Sequence, residues 1–147
     1  MTNQDRLGAA YHEAGHAVVA AALGLTVGRI EIAINGDDAK GAADIEDAAR
    51  LPLVDQLAIC AAGMEAQKMF EAPTHDVAGV GDYGLMFNLL DEYDETERRM
   101  FMEAGHQRAC ELIRLHSNAV GRIALALLAD GKMEDAAVRE LLDTGRP

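Results

Sequence analysis

Apolar positions recur at helical spacing over most of the chain. The first such stretch predicts a helix from about Gln4 to Leu23, rich in alanine and stopped by Gly24. Thr26 to Ile34 changes period: Ile30, Ile32 and Ile34 alternate with Arg29, Glu31 and Ala33, as in a half-buried strand. Asn35-Gly36-Asp37-Asp38 has turn chemistry, and Ala42 to Ile45 reads as a short returning strand. Leu53, Leu57, Cys60, Ala61 and Met64 predict a second helix over about Pro52–Phe70, with proline suited to its start. Glu71 to Gly81 reads as a loop, after which Asp82 stands as an N-cap before Leu85, Met86, Leu89 and Leu90. Asp94-Glu95-Thr96-Glu97 has the form of a capping box opening a long helix to about His116. A further helical stretch runs to Leu128, Asp130-Gly131 breaks it, and Met133 to Leu142 closes the chain. The expected fold is mainly α: five or six helices around one small β-hairpin or short sheet, in a single domain over 1–147.

Composition sharpens this picture. The 147 residues suffice for one domain with one core. Alanine is abundant and aromatics are 4%, a balance that favours packed helices over a β-sandwich. The net charge of −12, with only three lysines, argues against nucleic acid and against anionic membrane surfaces, both of which require a cationic face. Apolar residues at 50% exclude a disordered acidic chain. The longest apolar run, Ala17 to Leu25, contains Gly24 and is shorter than the ~20 residues of a membrane span. Two well-separated cysteines, Cys60 and Cys110, fit free thiols in a reducing compartment, and a cytoplasmic location is expected.

The chemistry concentrates in His12-Glu13-Ala14-Gly15-His16. Residues four apart on an α-helix lie one above the other on the same face. Two imidazoles so placed can share one zinc ion at ~2.0–2.1 Å, and Glu13 beside them can act as general base toward a zinc-activated water. This is the logic of the H-E-x-x-H metallopeptidases. From five His and twelve Glu, chance gives roughly 0.01 such matches per shuffled chain. A catalytic zinc needs a third protein ligand. The candidates are Asp82, Asp76, His75, Glu65, Asp91, His106 and His116, and spacing does not choose among them.

His12-Glu13-Ala14-Gly15-His16-Ala17-Val18-Val19 resembles the zinc-site helix of the peptidase domain of the FtsH family, the ATP-dependent AAA zinc metalloproteases. The similarity continues through the isoleucine-bearing strand Arg29–Ile34, the helix with Ala61-Ala62-Gly63-Met64-Glu65-Ala66, the glycine-bearing approach to Gly81-Asp82 and the closing segment Ile123–Leu142. The resemblance implies a mainly helical, zincin-type metallopeptidase domain. His12, His16 and Asp82 would then bind zinc and Glu13 would be the general base, with His75 or Asp76 as reserve ligands. Where the family commonly has a Glu, this chain has Gln67. No Gly-x-x-x-x-Gly-Lys-Ser/Thr loop occurs, and with eleven residues before His12 the chain is expected to carry neither ATPase module nor membrane anchor.

The expected function is peptide-bond hydrolysis, on short or already unfolded polypeptides unless an ATPase acts in trans. The strand Arg29–Ile34 is the expected edge for pairing with an extended substrate. Two further readings stand beside it: a catalytically inactive zinc-binding module for peptide recognition or regulation, and a helical protein without metal. The helix opening near Glu95 is compatible with packing against a second copy.

Overall fold

The computed structural model describes residues 2–32, 41–73 and 80–144. Helix α1 spans Asn3–Ala22. Thr2 caps it reciprocally: its hydroxyl accepts from the Asp5 amide at 3.0 Å, and the Asp5 carboxylate accepts from the Thr2 amide at 3.1 Å. Gly24, at φ 87°, lets the chain turn away after the helix. Between Ala10 and Ala20 nearly every α1 side chain is buried. That burial accounts for the run of alanines, because only small side chains admit neighbours on all sides of a helix.

Strand β1 (Val27–Ile32) pairs antiparallel with β2 (Gly41–Ile45). A register shift between Val27 and Ile30 leaves Val27, Ile30 and Ile32 all facing the core. The predicted extension through Ala33 and Ile34 lies outside the described residues. On its other side β1 pairs with β3 (Lys132–Met133), a strand that the sequence pattern did not reveal. The order is β2-β1-β3, and the Ile32 amide also donates to the Gly131 carbonyl at 2.9 Å. The expectation that Arg29–Ile34 offers an open edge is therefore corrected: over Ile30–Ile32 both sides of β1 are taken, and β2 forms an outer edge.

After a short 3₁₀ turn at Ala48–Arg50, α2 (Leu53–Met69) packs between α1 and α4 (Glu95–Leu115). Helix α3 (Val80–Leu89) precedes α4, and the acidic run from Asp91 forms the exposed turn between them. Asp94 caps α4, accepting from the Glu97 amide at 2.8 Å. Helix α5 (Ser117–Asp130) follows α4 at an angle of 84° around His116 and ends at Gly131, φ 78°. Helix α6 (Asp135–Thr144) closes the described chain. The core gathers Val19, Ile30, Ile32, Leu57, Ile113, Ile123 and Leu127 among α1, α2, α4, α5 and the sheet. The molecule is thus mainly helical with a small three-stranded antiparallel sheet. Among the described residues no single helix is long and apolar enough to cross a membrane.

Candidate metal centre

His12 and His16 project from the middle of α1, where the helix is wedged against α2. The contact is close because glycines meet it from both sides. A Cβ at Gly15 would stand 2.5 Å from the Ala62 carbonyl oxygen and 2.7 Å from Ala66 Cβ, and a Cβ at Gly63 would stand 2.5 Å from His12 Nε2. The His12 ring therefore rests on the bare backbone of α2.

Each imidazole is oriented by α2 through its Nδ1. His16 Nδ1 lies 2.7 Å from the Ile59 carbonyl oxygen, which can only accept, so Nδ1 carries the proton. His12 Nδ1 lies 2.6 Å from Gln67 Oε1. The Gln67 amide cannot be reversed, because its Nε2 donates to the Pro73 carbonyl at 2.9 Å. His12 Nδ1 is therefore also the protonated nitrogen. Both rings then turn Nε2 inward, 3.1 Å apart.

Helix α3 adds a carboxylate to this pair. Asp82 Oδ2 lies 2.8 Å from His12 Nε2 and 3.3 Å from His16 Nε2. Asp82 stands in the first turn of α3, which begins at Val80, and not at the N-cap expected from the sequence. Its partners are the two imidazoles. Neutral imidazoles would leave three lone-pair atoms converging with no hydrogen between them, so the arrangement calls for a positive charge at its centre. The three separations also suit a shared cation. Tetrahedral ligands at ~2.0–2.1 Å from zinc stand about 3.3 Å apart. Two neutral nitrogens and one carboxylate form a donor set that zinc accepts.

Glu13 is buried beside the cluster, 7% exposed. Burial pushes its carboxyl above the ordinary range, against the opposing pull of His16 and His12. No hydrogen bond holds that carboxylate among the described residues, so it is available to accept a proton. For His16, burial disfavours the charged ring, but the Asp82 hydrogen bond and the charges of Glu13 and Asp82 outweigh it and raise the pKa to about 9. Burial likewise disfavours the Asp82 anion. Hydrogen bonds from His12 and His16 more than offset this and hold its carboxyl well below the usual range.

Of the other candidate ligands, His75 and Asp76 lie outside the described residues. Glu65 is engaged elsewhere, accepting from His106 Nδ1 at 2.7 Å and from Cys110 Sγ at 2.9 Å. Asp91 lies in the exposed turn after α3, and His116 sits at the junction of α4 and α5. Both cysteines are free and partly buried. Within the described residues, His12, His16 and Asp82 are the group close enough to hold a metal ion.

Three participants carried little signal in the sequence. The Ile59 carbonyl is backbone and leaves none. Gly63 looked like one small residue among many. Gln67 stands out in the sequence only as a departure from the family's Glu; its burial at 2% exposure and its contact with His12 are seen in the structure alone. No protein-family model and no curated protein sequence matches this chain.

Proposed function

We propose that this chain is a zinc metallopeptidase domain in which His12, His16 and Asp82 hold the metal and Glu13 is the general base. The observation that carries the reading is the convergence of His12 Nε2, His16 Nε2 and Asp82 Oδ2 within 3.3 Å beside the buried Glu13. The resemblance of the α1 motif to the zinc helix of FtsH-family peptidases supports it further. Zinc bound by such donors supplies Lewis acidity, acidifying water and favouring negative charge on a carbonyl oxygen. Glu13 takes a proton from the attacking water on a carboxylate oxygen and delivers it to the departing amine. Its raised affinity for protons suits that shuttle, since it holds the proton between the two transfers. Ile59 and Gln67 keep both rings in the tautomer that turns Nε2 inward. The substrates are short or unfolded polypeptides, met in a reducing compartment such as the cytoplasm, with a separate ATPase supplying unfolding where folded proteins are degraded.

The test is zinc stoichiometry together with hydrolysis of an unstructured, fluorescence-quenched peptide library. One zinc per chain and measurable cleavage are expected. Glu13→Gln should retain zinc and lose at least ~100-fold in rate. A zinc-loaded wild-type protein that cleaves no faster than Glu13→Gln would overturn the catalytic reading in favour of an inert zinc-binding module. A protein that takes up no zinc would overturn both.

A further inference from the structure

Glu65 is a carboxylate 5% exposed in the packing of α2 against α4, and the proposed chemistry makes no use of it. Burying such a group is costly unless it is paired. Here it is: His106 Nδ1 and Cys110 Sγ, one turn apart on α4, both donate to it. The pairing settles how Glu65 is accommodated. The same His106 ring also meets that of Tyr83, at a centroid distance of 6.2 Å and an interplanar angle of 38°. Tyr83 is the residue after Asp82.

Among the described residues helix α3 packs mainly on α2, and much of its surface is exposed. Tyr83, Leu85 and Phe87 are 37%, 57% and 59% exposed. Within the helix Met86 is fully buried, and Leu90 is buried just beyond its end. Met86 lies four residues after Asp82 and so on the same face. Supports along one face fix the distance of α3 from the core but resist rotation about its own axis weakly. Tyr83 projects about 100° round the helix from Asp82. A contact there supplies an off-axis support, and a rotation that withdrew the Asp82 carboxylate would have to break it.

We infer that the Glu65–His106 pair, through the ring of Tyr83, is a positioning device that sets the rotation of α3 and so holds Asp82 against His12 and His16. The inference rests on the metal-centre reading above. It also accounts for placing the buried carboxylate on α2: Glu65 lies two residues from Gly63, against which His12 rests, and two from Gln67, which orients His12. One helix then sets both arms of the centre, the imidazoles directly and the carboxylate through α4 and α3.

The test compares Tyr83→Ala, His106→Ala, the double variant and Tyr83→Phe in the full-length chain. Zinc affinity is read by competition with a chromophoric chelator, and ligand geometry by the visible absorption of the cobalt-substituted protein. Each alanine variant is expected to bind zinc about 10–100-fold more weakly with an altered cobalt spectrum. The double variant should lose no more than the worse single one, because both break one chain of contacts. Tyr83→Phe keeps the ring and should match wild type. Amide hydrogen exchange of the chelated proteins gives a metal-independent measure, with faster exchange in α3 expected for both alanine variants. If His106→Ala fails to fold because Glu65 loses one of its donors, the two Tyr83 variants carry the comparison. Wild-type zinc affinity and unchanged α3 exchange in Tyr83→Ala, or losses that multiply in the double variant, would overturn the positioning role while leaving the metal centre standing. Absence of zinc binding by wild type would remove the centre and this role with it.

Discussion

A methyl group added at Gly63 would stand 2.5–2.6 Å from three atoms of the His12 ring. That ring cannot swing aside freely, because Gln67 holds its Nδ1 at 2.6 Å. Two effects of Gly63→Ala therefore oppose each other. Helix propensity favours alanine within a helix by up to ~1 kcal/mol, but overpacking against the held ring costs about 1–3 kcal/mol, so the chelated variant should melt earlier than chelated wild type. The displaced imidazole should weaken zinc binding about 10–100-fold, read by chelator competition. An unchanged zinc affinity would mean that His12 does not need the bare backbone of α2. At this scale the sequence was legible where the chemistry is local. His12, Glu13 and His16 lie within two turns of one helix, so their spacing fixes their common face. The Asp82 contact joins residues seventy apart, and helical periodicity carries no information about that separation.

Helices α1 and α2 cross where Gly15 faces Ala62 and Ala66. Gly15→Val should force the helices apart at the level of the two histidines. Overpacking of this kind costs about 1–3 kcal/mol, which urea unfolding of the chelated protein would register as a lower midpoint with little change in slope. A midpoint equal to that of wild type would show that the crossing is looser than its 2.5 Å approach to the Ala62 carbonyl requires. Element boundaries were read well where long patterns carry them, as in α1, α2, α4 and α5. They were missed where the signal is short. Strand β3 has two residues, too few to show a period, and is defined by its pairing with Ile30 and Glu31. Asp82 was expected at an N-cap because Gly79 and Gly81 look like loop. In the fold α3 has already begun at Val80, and its supports are tertiary contacts that local propensity does not encode. The same distinction explains β1, whose alternation announced a strand but not that both its sides would be occupied over Ile30–Ile32.

Across the whole molecule, the centre ties stability to pH in a way that depends on the cation it holds. In chelated protein the raised pKa of His16, about 9, stabilises the fold fully below the ordinary histidine value of ~6.5, and this contribution disappears as pH rises through 9. Glu13, also raised, acts in the same direction. Asp82, depressed by its imidazole partners, contributes above the ordinary carboxyl value of ~4 and loses that contribution as pH falls through its lower folded value. Glu65, lowered chiefly by the His106 hydrogen bond, adds to the loss in acid. The chelated protein should therefore be less stable at pH 9.5 than at pH 6. Zinc reverses the alkaline part, because it occupies the inward nitrogens only when they are unprotonated and so competes with the proton. With free zinc at about a hundred times its dissociation constant, the melting temperature should rise by about 5–10 °C. At fixed total zinc the increment should grow from pH 6 to pH 8.5. Thermal melts followed by circular dichroism, with and without chelator across that range, give the measurement. A zinc increment that stays flat or shrinks with rising pH would mean that metal and proton do not contend for His16, and the shared-cation account of the three converging side chains would fail.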